Sequence, residues 1–167
     1  MLNNDVLQKI RYLLNVNELK LIEIVEGAGY LVTPSEMSSY LLNENDLNFE
    51  PCPDLVMDYF LNGLIIYKRG PREGQMSSVS TSITNNTILK KLRVAFELKD
   101  IDLIDLIEKP GHLKISKAEL GAFFRKEDHR NYRECGDQFL RNILNGLISR
   151  NESTAVRPNN VMRQNGK

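Results

Sequence analysis

Tryptophan is absent from this 167-residue chain, and there are only two cysteines, two histidines and 7% aromatic residues. Two cysteines, Cys52 and Cys135, cannot build a disulfide framework. No sign of charge dominates, with 22 Lys+Arg against 22 Asp+Glu. Zero net charge with 41% apolar residues argues against disorder along the whole chain. The longest uncharged, strongly apolar stretch runs only from Tyr59 to Tyr67, whereas a membrane span needs about 20 residues. The opening MLNNDVLQKIRYLL lacks the basic segment followed by an apolar one that a secretory signal needs, so a cytoplasmic location is expected. What remains is a globular composition long enough for a core, since a chain of about 150 residues buries roughly 70% of its extended surface.

What is present is a duplication. Asn3-Asn4-Asp5-Val6-Leu7-Gln8-Lys9-Ile10-Arg11 aligns with Asn85-Asn86-Thr87-Ile88-Leu89-Lys90-Lys91-Leu92-Arg93 at an offset of 82. One inserted residue later the offset is 83. Cys52-Pro53-Asp54 then falls on Cys135-Gly136-Asp137, and Leu61-Asn62-Gly63-Leu64-Ile65 on Leu144-Asn145-Gly146-Leu147-Ile148. Chance similarity does not hold one register over such a span. The expected organisation is a first repeat at 1–67, a second at 85–150, a flexible Gly/Pro/Ser-containing linker at 68–84 and a mobile polar tail at 151–167.

Each copy reads as four helices. The first carries Val6, Leu7, Ile10, Leu13 and Leu14 on one face, matched by Ile88, Leu89, Leu92, Ala95 and Phe96, with Asn4 and Asn86 as suitable N-caps. The second is more apolar (Leu19, Leu21, Ile22, Ile24, Val25; Ile101, Leu103, Ile104, Leu106, Ile107), which predicts a central, largely buried helix stopped by Gly29 or Gly111. Thr33-Pro34-Ser35-Glu36 and Ser116-Lys117-Ala118-Glu119 have the spacing of capping boxes that open the third helix. Its stripe is Met37, Tyr40, Leu41 or Leu120, Phe123, Phe124. The fourth follows Cys52 or Cys135 with Val56, Met57, Phe60, Leu61, Leu64, Ile65, or Phe139, Leu140, Ile143, Leu144, Leu147, Ile148. A glycine inside that stripe costs roughly 1 kcal/mol against alanine. Its recurrence as Gly63 and Gly146 predicts close passage of another helix, or else a helix end. The expected fold is all-α, a tandem duplication of a roughly four-helix unit, about eight helices in total.

At these positions the chain resembles the YehS-like bacterial tandem-repeat family (domain of unknown function 1456). Asn3-Asn4-Asp5-Val6-Leu7, Pro51-Cys52, Leu61-Asn62-Gly63-Leu64-Ile65-Ile66 with Lys68-Arg69-Gly70, and above all the run from His129 to Asn142 carry the likeness, which covers most of 3–150. The resemblance implies a small cytoplasmic bacterial protein of helical repeats and brings no catalytic residues with it.

Neutral net charge hides an asymmetry. Residues 1–66 sum to −7 and residues 85–150 to +3, a statement about partners rather than fold. Basic residues gather as Arg125, Lys126, Arg130, Arg133 and Arg141, with His129 and Tyr132 among them. One reading is a nucleic-acid contact, guanidinium groups on phosphates and a ring available to stack. The other is a solvated face that docks against the acidic first copy, and the interleaved Glu127, Asp128, Glu134 and Asp137 weaken the cationic field. Helices two and three also have the outline of a helix-turn-helix, for which Lys117, Arg125 and Lys126 would be the phosphate contacts.

Other constellations carry less. Cys52 and Cys135 before an acidic helix start could be activated thiols, but a small buried residue explains them as well, and only the second copy has a nearby histidine, His129. His112, His129 and Cys135 match no zinc spacing. Asp54 and Asp137 suit a helix dipole better than a carboxylate pair. Gly27-Ala28-Gly29 lacks the strand and lysine of a phosphate loop. No catalytic, cofactor or metal residue is therefore assigned, and neither a small-molecule substrate nor a membrane is expected. The expected function is non-enzymatic: macromolecular binding, by protein–protein interaction or self-association, with DNA or RNA binding as the alternative.

Overall fold

A computed structural model describes residues 1–73, 78–110 and 113–155. Within them lie eight helices and no strand: α1 (Asn3–Leu14), α2 (Glu18–Gly27), α3 (Pro34–Tyr40), α4 (Asp54–Arg69), α5 (Asn85–Ala95), α6 (Asp100–Glu108), α7 (Lys117–Ala122) and α8 (Asp137–Ala155). Helices α4 and α8 reach past the boundaries expected from composition, through Lys68 and Arg69 and through Ala155. Of the expected tail only 151–155 is described. In the connection between repeats, residues 78–84 are held down: Ser80 N–H donates to Asp58 at 2.9 Å and Ile83 N–H to Asp54 at 3.2 Å.

Local chemistry sets the ends. Thr33 with Glu36, and Ser116 with Glu119, form the two capping boxes expected. Gly29 follows α2 at φ 99° and Gly70 closes α4 at φ 83°; Gly111 lies outside the described residues. Asn4 and Asn86 are not caps. Leu2 and Thr84 occupy those positions, and the two asparagines are buried inside the first turn. Their backbone partners lie far along the chain. Asn4 Nδ2 donates to the Tyr40 and Glu50 carbonyls at 3.0 and 2.8 Å. Asn86 Nδ2 does the same to Phe123 and Arg133 at 3.0 and 2.8 Å.

The core is continuous across both repeats, so they are not separate lobes. Helix α4 packs against α2 and α5, and α8 against α6 and α1. The contact between copies is thus reciprocal, first helix of one on fourth helix of the other, as a two-fold relation requires. The fourth helix, not the second, is the central one: Met57, Phe60, Leu61 and Leu64 are all at most 1% exposed, while Leu19 and Ile101 stand 64% and 63% exposed at the start of α2 and α6. Burying wide apolar surface on both sides favours the helix with a stripe and a flat glycine face. At that face a Cβ on Gly63 would lie 1.8 Å from the Ile24 carbonyl oxygen, and one on Gly146 2.6 Å from that of Leu106. The glycines permit close passage of α2 and α6, and both helices continue beyond them.

Candidate binding surface

The connection from α3 to α4, residues 41–53, and that from α7 to α8, residues 123–136, share one hydrogen-bond frame. In the first, Asp46 N–H donates to Asn43 O (2.9 Å), Phe49 N–H to Asp46 O (3.1 Å) and Glu50 N–H to Ser39 O (3.3 Å). In the second, His129 N–H donates to Lys126 O (2.9 Å), Tyr132 N–H to His129 O (2.8 Å) and Arg133 N–H to Ala122 O (3.1 Å). The side-chain turn at the equivalent position differs, Asp46 reaching back three residues and His129 forward two. Asp46 Oδ2 accepts from Asn43 N–H at 3.0 Å, and His129 Nδ1 accepts from Asn131 N–H at 3.0 Å.

On this shared frame the side chains differ in sign. Residues 42–51 carry Glu44, Asp46 and Glu50 with no basic residue, and Leu47 is fully exposed. At the corresponding positions 125–134 stand Arg125, Lys126, Arg130 and Arg133 with Glu127, Asp128 and Glu134. Arg125, Lys126, Asp128, His129 and Arg130 line one shallow, solvent-open groove. Arg125 Nη1 lies 3.3 Å from His129 Nε2. None of the ion pairs among the described residues uses Arg125, Lys126 or Arg130.

The remaining residues expected in this surface divide. The Arg133 guanidinium sits 5.7 Å from the ring centre of buried Phe123, and Tyr132 is half-buried at the root of the loop. Desolvation, helped by Glu127 and Glu134, pushes the Tyr132 hydroxyl above its ordinary value. Arg141 is elsewhere, one turn into α8, donating to Gln138 at 2.9 Å and lining a second groove with Lys9 of α1. The helix-turn-helix outline fails for the second copy: α7 ends at Ala122, so Arg125 and Lys126 lie on the loop and only Lys117 is helical.

Cys52 and Cys135 are both 5% exposed. Burial, with some help from the neighbouring Asp54 and Asp137 carboxylates, pushes both thiols up to about 12, the reverse of an activated nucleophile. Asp54 and Asp137 accept from the amides of Asn3 and Asn85, both at 2.7 Å, and Asp137 also pairs with the Met1 ammonium, which lowers its carboxyl. Among the described residues no group of three or more His, Cys, Asp or Glu is placed to hold a metal ion; His112 lies outside them. No helix among them is long and apolar enough to cross a membrane.

Residues 3–70 and 85–152 each match one family, described as a protein of unknown function (DUF1456). The chain belongs to this family. Both matches fall on the two structural repeats and include the Asn-Asn start and the Cys-X-Asp segment of each, with all of α4 and α8 up to residue 152. A relative from Escherichia coli (strain K12), named "Uncharacterized protein YehS", is 41% identical over 151 residues, covering 90% of this chain and 96% of the relative. No solved structure matches.

Proposed function

We propose that this DUF1456 protein is a non-enzymatic binding protein that acts through the α7–α8 loop, and that the partner is protein: first of all a second copy of the same chain. The observation that carries the reading is the shared frame with opposite chemistry. One backbone shape presents exposed Arg125, Lys126 and Arg130 in the second repeat and Glu44, Asp46 and an exposed Leu47 in the first. Contact of the acidic loop of one molecule with the cationic loop of another is heterologous, so it extends head to tail or closes into a ring. Charge complementarity of this kind sets register and speeds encounter. The location expected for this activity is the cytoplasm.

Sedimentation velocity over a range of concentrations and salt tests it. Self-association should weaken with salt, weaken again in Arg130→Glu and in Asp46→Lys, and recover in the double variant. A strict monomer at low salt and high concentration would sink the reading.

Exposed Arg125, Arg130 and the His129 ring side by side favour a second reading, nucleic acid. Anisotropy of a fluorescent single-stranded oligonucleotide addresses it. Binding should fall steeply with salt, with a shallower slope in the Arg125→Glu, Arg130→Glu double variant. No binding at low salt ends that alternative.

A further inference from the structure

The two seams between repeats are equivalent by the duplication but not by charge. At the α4–α5 seam, Lys91 Nζ donates to Asn62 Oδ1 at 2.8 Å and pairs with the carboxylate of Asp58, which is 1% exposed. Asp58 also accepts from the Ser80 N–H. The α1–α8 seam repeats half of this. Lys9, the equivalent of Lys91, donates to Asn145, the equivalent of Asn62, also at 2.8 Å. The position equivalent to Asp58 is Arg141. A lysine and an arginine therefore line one groove where the other seam holds an ion pair, and the groove is open to solvent. Asp5 is on the same wall, yet no ion pair among the described residues joins it to Lys9 or Arg141. Asp137, one turn before Arg141, is already engaged by Met1 and Asn85.

We infer that the α1–α8 groove binds a phosphate oxyanion between Lys9 and Arg141, the ligand supplying the negative charge that Asp58 supplies at the other seam. Arg141 offers the flat two-pronged donor that suits a tetrahedral oxyanion, and Lys9 a point charge. Ile148 and the Tyr12 ring border the groove and give an apolar flank beside the charged pair, the Tyr12 hydroxyl donating to Glu152 at 2.8 Å. The site does not depend on the α7–α8 loop and would stand if the self-association reading failed.

The test compares thermal unfolding in inorganic phosphate, phenyl phosphate and chloride at matched ionic strength, with calorimetric titration of each phosphate. A saturable rise in the midpoint is expected for the native chain. Arg141→Gln and Lys9→Gln should each weaken half-saturation by at least about tenfold, the loss of one charge-assisted contact. Arg141→Asp should abolish the response and raise the midpoint in chloride, because Lys9 then gains the carboxylate that Lys91 has. Arg130→Glu should leave the phosphate response intact. Tighter binding of phenyl phosphate would assign an ester, with its organic part against Tyr12 and Ile148; equal binding would assign the free anion; either supports the site. A midpoint that rises equally in native and Arg141→Gln chains would reflect a general salt effect and overturn the inference, as would no rise at all.

Discussion

The side-chain oxygen of Asn4 accepts a hydrogen bond from the backbone N–H of Cys52 at 2.9 Å, and Asn86 makes the same bond to Cys135 at the same distance. With its two donated bonds, each asparagine satisfies three backbone groups that no helix or strand would pair. The neighbouring Asn3 and Asn85 hold the Cys52 and Cys135 carbonyls at 3.0 Å. The repeated Asn-Asn pair is thus the device that ties the first helix of each repeat to the start of the fourth and fixes the loop from which the candidate surface projects.

Asn4→Ala and Asn86→Ala follow from this. A lost N-cap costs about 1 kcal/mol. Stranding buried backbone groups costs about 1–3 kcal/mol each, so each variant should lose about 3 kcal/mol or more. Urea unfolding measures it. A loss within about 1 kcal/mol would mean that the loop repacks or admits water.

Gly63→Ala and Gly146→Ala should both destabilise, against the roughly 1 kcal/mol that alanine gains over glycine inside an isolated helix. Overpacking a tight contact costs typically 1–3 kcal/mol. The 1.8 Å approach at Gly63 is closer than the 2.6 Å at Gly146, and the first obstacle in each case is backbone. Gly63→Ala should therefore be the worse of the two, at about 3 kcal/mol or more. Equal or stabilising effects in thermal unfolding would contradict the close helix passage.

These cases mark what the sequence discloses. Gly63 was legible as a costly residue recurring at one register in both copies, which pointed to close passage or a helix end, and the approach of the Ile24 carbonyl with α4 continuing to Arg69 decides for close passage. Thr33 with Glu36 and Ser116 with Glu119 were legible because their partners lie three residues away. Asn4 was misread as a cap because its true partners, Tyr40, Glu50 and Cys52, are distant in the chain. Leu19 and Ile101 were expected inside because a nearly continuous apolar run hides which side faces the core. The cationic cluster was visible as composition, but Arg141 belongs to another groove, since its place depends on how the repeats dock. The Asp58–Lys91 pair was invisible for the same reason.

That pair supplies a stability contrast. Breaking a buried ion pair by removing one partner costs about 3–5 kcal/mol, because the other charge is left uncompensated. Asp58→Asn should cost roughly this amount, reduced somewhat because Lys91 keeps Asn62 and is itself partly exposed. Lys9→Met at the other seam strands no buried charge and should cost under about 1 kcal/mol. Chemical denaturation of the two variants side by side measures the asymmetry. Similar losses would mean that the seams are electrostatically alike.

Alkaline pH should destabilise the fold through three buried acids. Burial holds the Cys52 and Cys135 thiols and the Tyr40 hydroxyl near 12, whereas the ordinary values are 9.0 for the thiol and 10.0 for the phenol. A group whose pKa is raised on folding keeps its proton more tightly in the native state. Its contribution is complete below the unfolded value and is lost as pH climbs towards the folded one. The midpoint of urea unfolding should therefore be insensitive to these groups below about pH 8, fall from about pH 9, and keep falling to about pH 12. At pH 8 a thiol of pKa about 12 is ionised in about one molecule in ten thousand, so disulfide-exchange reagents should label native protein only as fast as it opens. Cys52→Ala with Cys135→Ala should flatten the decline between pH 9 and 10, before tyrosine contributes. A double variant with an unchanged alkaline profile, or native thiols that label as fast as those of the unfolded chain, would show that the two sulfurs are not held in the dry interior.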